Sequence, residues 1–202
     1  VDLLNPKDVL QKVLGYQLRK SENLGFSHHG SELFHVAGLI DKSKRLVEYN
    51  SGLSEKVANF TIAHELAHAV LHDKILMHRD RALEGPSPEP RNKEEAEADK
   101  FAACFLMPHK LIRKAFLDLF QTKRFEINSQ TALRLGVNVS ALIDHCQTVR
   151  DLSRLLAGTK NYAGKNFISI SDKFKVSIEA MAIRLEELNL VSIDHLSKST
   201  RP

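Results

Sequence analysis

The stretch that decides how this chain is read is FTIAHELAHAVLHD, Phe60 to Asp73. Ile62, Ala63, Leu66, Ala67, Val70 and Leu71 make it an apolar helix, yet it carries His64, Glu65, His68 and His72. An α-helix turns about 100° per residue, so residues four apart share one face about 6 Å apart along the axis. His64 and His68 therefore aim their imidazoles at one point. That is the arrangement of two zinc ligands, and Glu65, beside the first of them, is placed to take a proton from metal-bound water. The metal lowers the pKa of that water toward about 7, so a carboxylate of ordinary basicity suffices as general base. Polar groups in so apolar a helix need partners, and a metal supplies one.

Catalytic zinc usually has three protein ligands and a water molecule. No histidine follows at the short metzincin spacing, because Val70 and Leu71 stand where that pattern turns at a glycine. His72 lies one turn further along the same helix, too far for three rings to converge on one ion, and is read as a supporting or capping residue. The acidic stretch EEAEADKFA offers a better third ligand. Glu95 and Asp99 are four apart and share a helix face. Glu95 can bind the metal while Asp99 accepts the N–H of a ligating histidine and fixes its tautomer. Glu94 is the substitute if the register is shifted, and Glu94 and Glu97 otherwise form a solvated acidic face.

Working outward, KEEAEADKFAACFLM reads as a helix ending at Pro108, and HKLIRKAFLDLF as the next one. Before the histidine helix, which Ser54 can cap, ELFHVAGLI and RLVEYNS flank the turn-like DKSK as a β-hairpin. EGPSPEPRN reads as a surface loop. Asn5 followed by Pro6 signals a helix start, and Val9, Leu10, Val13, Leu14 and Leu18 extend one apolar face to about Arg19. Two later phrases, GVNVSALIDH and KVSIEAMAIRL, each have the pattern of the second half of a helix-turn-helix. The plainer reading of both is small helices packing on a catalytic domain.

At 202 residues the chain can bury a core of ordinary domain size. Its only cysteines, Cys104 and Cys146, form no CxxC pair, the usage of a reducing compartment. No apolar run approaches the roughly 18 residues of a membrane span, and VDLLNPKDVL lacks the order of a secretion signal. A soluble, cytoplasmic protein with no membrane partner is expected, and starting at Val1 leaves room for upstream sequence. The formal charge of +4 does not by itself make a nucleic-acid binder. Its cations concentrate between Lys110 and Lys165, where a solvated face is the plainer reading and an acidic partner or phosphate backbone the other.

In order, FTIAHELAHAVLH, EEAEADKFAACFLMP and KFKVSIEAMAIRLEELNLV resemble the three signature stretches of the ImmA/IrrE metallopeptidases, of gluzincin type. The similarity covers about residues 33 to 107 and again 168 to 191. It implies His64, His68 and Glu95 as ligands and Glu65 as catalytic base, in agreement with the spacing. It also implies an α+β fold: a mostly helical, zincin-like metallopeptidase domain over residues 1–121 with a small N-terminal hairpin or sheet. A helical, helix-turn-helix-like region would follow over residues 122–202. Such proteins typically cleave a helix-turn-helix repressor encoded beside them and so release genes of mobile elements, defence systems or DNA-damage responses.

The sequence departs from that pattern from about Gln121 to Asn166, read as an insertion that carries much of the basic surplus. Bracing the fold is the preferred role; the others are binding the repressor, or binding single-stranded DNA or another nucleic acid as an activating signal. Ending at Pro202 leaves no room for an appended sensor domain, so activation is expected to act through this domain, its partner or its metal. Tyr162, His145 and His109 are candidate donors to an oxyanion at the scissile carbonyl. Cys104 is expected to pack in its helix core; the alternative for Cys104 or Cys146 is a thiolate latch on zinc's open position. Histidine and carboxylate ligands accept manganese as well as zinc. The rival from another class is a metal-containing regulator that binds DNA or the repressor without proteolysis. The intact Glu65 argues against it, since a structural site needs no base.

Overall fold

The computed structural model describes residues 4–29, 32–72, 77–81 and 93–193, so the EGPSPEPRN stretch lies outside the described residues. Two compact units divide the chain, Val1–Leu106 and Met107–Pro202. In the first, Asn5 caps helix α1 (Pro6–Asp8) by accepting the Lys7 N–H at 3.0 Å, and the helix continues as a π turn over Val9–Val13. It does not reach Arg19. Gly15 adopts the left-handed φ of +70°, and Gln17–Ser21 forms strand β1 instead of the expected last helical turns. The apolar spacing runs on through Leu14 and Leu18, but a glycine in the left-handed region stops a helix, and β1 gains a parallel partner strand.

The expected hairpin is present. Strands β3 (Glu32–Asp41) and β4 (Leu46–Asn50) pair antiparallel with Ile40 opposite Val47, and the Asp41 carboxylate closes the turn by accepting the Ser43 hydroxyl at 2.6 Å and the Lys44 N–H at 3.1 Å. The sheet is larger than a hairpin: β1 lies parallel on β4, and β2 (Phe26–His29) and β5 (Met77–Arg81) both pair antiparallel with β3. Helix α2 (Glu55–Leu71) carries the histidines, and Ser54 caps it by accepting the Val57 N–H. Helix α3 (Lys93–Leu106) follows. Leu10, Ile40, Val47, Ile62 and Leu66 form the core of this unit, with Phe101 and Phe105 of α3 packed against it. Residues 61 to 68 of α2 are buried without interruption, so the helix is enclosed on every side.

The second unit is helical: α4 (His109–Phe120), α5 (Ser129–Arg134), α6 (Val139–His145), α7 (Val149–Gly158), α8 (Ile170–Lys173) and α9 (Ile178–Glu187). Short strands β6 (Phe125–Glu126) and β9 (Val191–Ser192) pair parallel, and β7 (Asn161–Tyr162) and β8 (Lys165–Asn166) form a small hairpin. Phe116, Phe120, Phe125 and Tyr162 build an aromatic core.

Both helix-turn-helix-like phrases are second halves of real pairs, and the two pairs match bond for bond. Gly136 (φ +80°) and Lys175 (φ +53°) turn the chain. The Val137 N–H donates to Ala132 O and the Val176 N–H to Ser171 O, both at 3.1 Å. Asn138 then caps α6 and Ser177 caps α9, each accepting the N–H three residues on.

The arginines of α7 are bound internally. Arg150 clamps Glu186 with two hydrogen bonds of 2.6 and 3.0 Å and reaches Glu179 at 2.6 Å, while Arg154 donates to Glu179 at 2.6 Å. Hydrogen bonds from Arg154 and then Arg150 hold the Glu179 carboxyl below the usual carboxylate range. A depressed native pKa adds stability above the ordinary value of 4.5 that is lost as pH falls below it. Arg150→Ala should therefore cost about 2 kcal/mol in urea unfolding at neutral pH. Its difference from wild type should narrow as acid protonates Glu179.

Candidate metal centre

The α2 helix period stacks His64 over His68, and burial leaves both rings and Glu65 with no exposed surface. The two Nε2 atoms stand 3.0 Å apart, and Glu95 of α3 places Oε2 3.4 Å from His64 Nε2 and Oε1 3.4 Å from His68 Nε2. A tetrahedral ion with bonds of about 2.0–2.1 Å holds its ligand atoms roughly 3.3 Å apart. Two imidazole nitrogens and a carboxylate at these separations fit a zinc-sized cation. Among the described residues, His64, His68 and Glu95 are the group of three able to hold a metal.

Asp99, one turn beyond Glu95, lies with Oδ1 3.0 Å from His64 Nδ1, where it accepts that N–H, so that Nε2 faces His68 and Glu95 as the ring's acceptor nitrogen. Glu94 is exposed and takes no part in the cluster. Glu97 is exposed, as expected of a solvated face, and its Oε2 also lies 3.2 Å from His72 Nε2. Its long side chain reaches the C-terminal end of α2, where His72 is the capping residue and is 8% exposed.

Spacing did not single out Gly38. A Cβ placed on this β3 residue would lie 2.6 Å from Glu65 Oε1 and 2.5 Å from Thr61 Cγ2. The bare backbone lets the strand pass over α2 at the point where Glu65 sits. An isolated glycine inside the strand-like HVAGLI is the signal that could have found it.

The three candidate oxyanion donors all belong to the second unit. Tyr162 is buried in its aromatic core, His145 lines a cavity of about 520 Å³ with Leu135, Leu142 and Leu155, and His109 is exposed at the start of α4.

Cys104 does not pack in the core of its helix. The buried positions of α3 are Glu95, Ala98, Ala102 and Leu106, and Cys104 faces the other way, exposed. Nine residues beyond Glu95, it lies about half a turn around the axis and roughly 13 Å along it, which excludes a latch on the cluster within this helix. Cys146 is fully buried in the second unit, and burial, helped by the Asp151 charge, pushes its thiol up to about 11. It packs as a small apolar residue, not as a thiolate.

Two outcomes follow from this geometry. Gly38→Ala must displace Thr61 and Glu65, an overpacking expected to cost about 1–3 kcal/mol in chemical denaturation of the metal-free protein. Zinc added to chelator-treated protein should stabilise it by about 2.7 kcal/mol at a hundred times the dissociation constant. His64→Ala should abolish that increment in a thermal-shift titration.

The family model described as the IrrE N-terminal-like domain, a peptidase family, matches residues 19–143. That span is more than half of the chain: it begins within β1, holds the hairpin, α2 and α3 with the whole ligand cluster, then runs through α4 and α5 into α6. No curated protein matches the chain. With the matched span and the cluster in agreement, this chain belongs to the IrrE N-terminal-like domain family of peptidases.

Proposed function

We propose that the protein is a zinc-dependent endopeptidase that cuts one regulatory protein, a partner helix-turn-helix repressor, in the cytoplasm. The observation that carries the reading is the convergence of His64, His68 and Glu95 beside a fully buried Glu65. A metal held by these three residues would polarise a peptide carbonyl and acidify a water molecule. Glu65 is the group that moves protons: it accepts one from the attacking water on its carboxylate and returns it to the amide nitrogen as the C–N bond breaks. Asp99 holds the proton of His64 at Nδ1, which keeps Nε2 as a ligand atom. Zinc suits the donor set best, and manganese is the other metal that two imidazoles and a carboxylate accept.

The choice of repressor as substrate rests on the likeness of the three signature stretches to the ImmA/IrrE group. Its release would switch on mobile-element, defence or DNA-damage-response genes, with single-stranded DNA or another nucleic acid as a candidate activator.

The paired helix-turn-helix geometry of the second unit favours a second reading, a metal-containing regulator acting by binding alone. Arg150 and Arg154 weigh against a DNA-binding version of it, because both are engaged by Glu179 and Glu186.

Glu65→Gln separates the two readings. It should retain zinc and lower cleavage of the repressor by at least about 100-fold, read as fragments by intact-mass analysis. Equal derepression of a target promoter by wild type and Glu65→Gln would contradict the protease reading.

A further inference from the structure

His72 lies outside the cluster of His64, His68 and Glu95, yet it is held from several directions. Its backbone carbonyl accepts the Lys42 ammonium at 2.8 Å, its Nδ1 lies 2.8 Å from His68 Nδ1, and its Nε2 lies 3.2 Å from Glu97 Oε2. Two ring nitrogens at 2.8 Å need one proton between them, so one must donate and the other accept.

The direction of that bond follows from the ligand cluster. His68 turns Nε2 toward His64 and Glu95, and a neutral ring that binds metal through Nε2 carries its proton on Nδ1. His68 therefore donates to His72. Accepting at Nδ1 leaves His72 with its own proton on Nε2, where Glu97 accepts it. In the opposite direction His72 would donate, the proton of neutral His68 would move to Nε2, and that nitrogen would be lost as a ligand. Only the first arrangement satisfies both the carboxylate and the metal.

We propose that His72 and Glu97 are positioning residues for the metal ligand His68, a two-member arm that does for His68 what Asp99 does alone for His64. The arm fixes both the tautomer and the angle of the His68 ring, so it should set how tightly metal is held. This inference rests on the metal-centre reading above and is independent of any substrate.

The test is zinc affinity by chelator competition for wild type, His72→Phe, His72→Asn, Glu97→Ala and the Phe/Ala double variant. Nitrogen-15 spectra of the zinc-loaded proteins would report the His68 tautomer. Loss of an outer partner typically weakens metal binding about 10–100-fold, and that loss is expected for His72→Phe. His72→Asn, which can present an amide oxygen near the Nδ1 position, should recover most of the affinity. Glu97→Ala should cost less than His72→Phe and nothing further in the His72→Phe background, because it acts through His72. His68 in wild type should carry its proton on Nδ1.

Unchanged affinity in folded His72→Phe would overturn the inference, as would a Glu97→Ala loss of equal size in both backgrounds. Should His72→Phe fail to fold, wild-type affinity in folded Glu97→Ala would overturn it equally. Wild type that binds no zinc would instead overturn the metal-centre reading itself.

Discussion

Three polar side chains, His64, Glu65 and His68, sit without exposed surface in a helix whose other neighbours are Ile62, Ala63, Leu66 and Ala67. Polar and charged groups so placed are tolerated only where partners compensate the lost water. The first unit is arranged around that requirement. Helix α3 brings Glu95 to both ring nitrogens and Asp99 to the far side of His64. Gly38 clears the space above Glu65, and the core of Leu10, Ile40, Val47 and Leu66 fixes the sheet against the helix that bears the ligands. A cation at the convergence point would complete the set, since it is the partner that two neutral imidazoles and a carboxylate share.

The second unit follows a different logic. In the bare sequence its basic residues read first as a solvated face and second as a surface for an acidic partner or phosphate backbone. Of these, Arg150 and Arg154 join α7 to α9 through Glu179 and Glu186, and beyond the basic stretch Arg184 donates to the Met107 carbonyl and to Glu187. These three arginines are structural cross-links. The two matching helix-turn-helix pairs share their turn geometry and capping, while α9 uses Glu179 and Glu186 to hold α7. Geometry alone therefore does not make this region a reader of nucleic acid.

Much of this was legible in the residues because the signals are local. Ser54 and the 3.6-residue period mark α2, the four-residue spacing of His64 and His68 defines half the cluster, and Glu95 with Asp99 repeats that spacing on α3. What escaped depends on partners distant in sequence. Gln17–Ser21 continues the apolar period of the helix before it, and becomes a strand only because Gly15 turns the chain onto β4. Met77–Arg81, largely polar, gains its strand character from β3. The exposed Glu97 pairs with His72 only because the end of α2 lies beside it, and Gly38 matters only once Thr61 and Glu65 lie beneath it. Cys104 lies outside the helix core for a simpler reason: the buried stripe of α3 runs through Ala98, Ala102 and Leu106, on the opposite side of the helix.

The measurement that reaches the central claim most directly is X-ray absorption at the zinc edge of the zinc-loaded protein. The expected result is one zinc per chain, bound by nitrogen and oxygen only at about 2.0–2.1 Å, with multiple-scattering features of two imidazoles. A sulfur scatterer at about 2.3 Å, or zinc without imidazole in its shell, would contradict it.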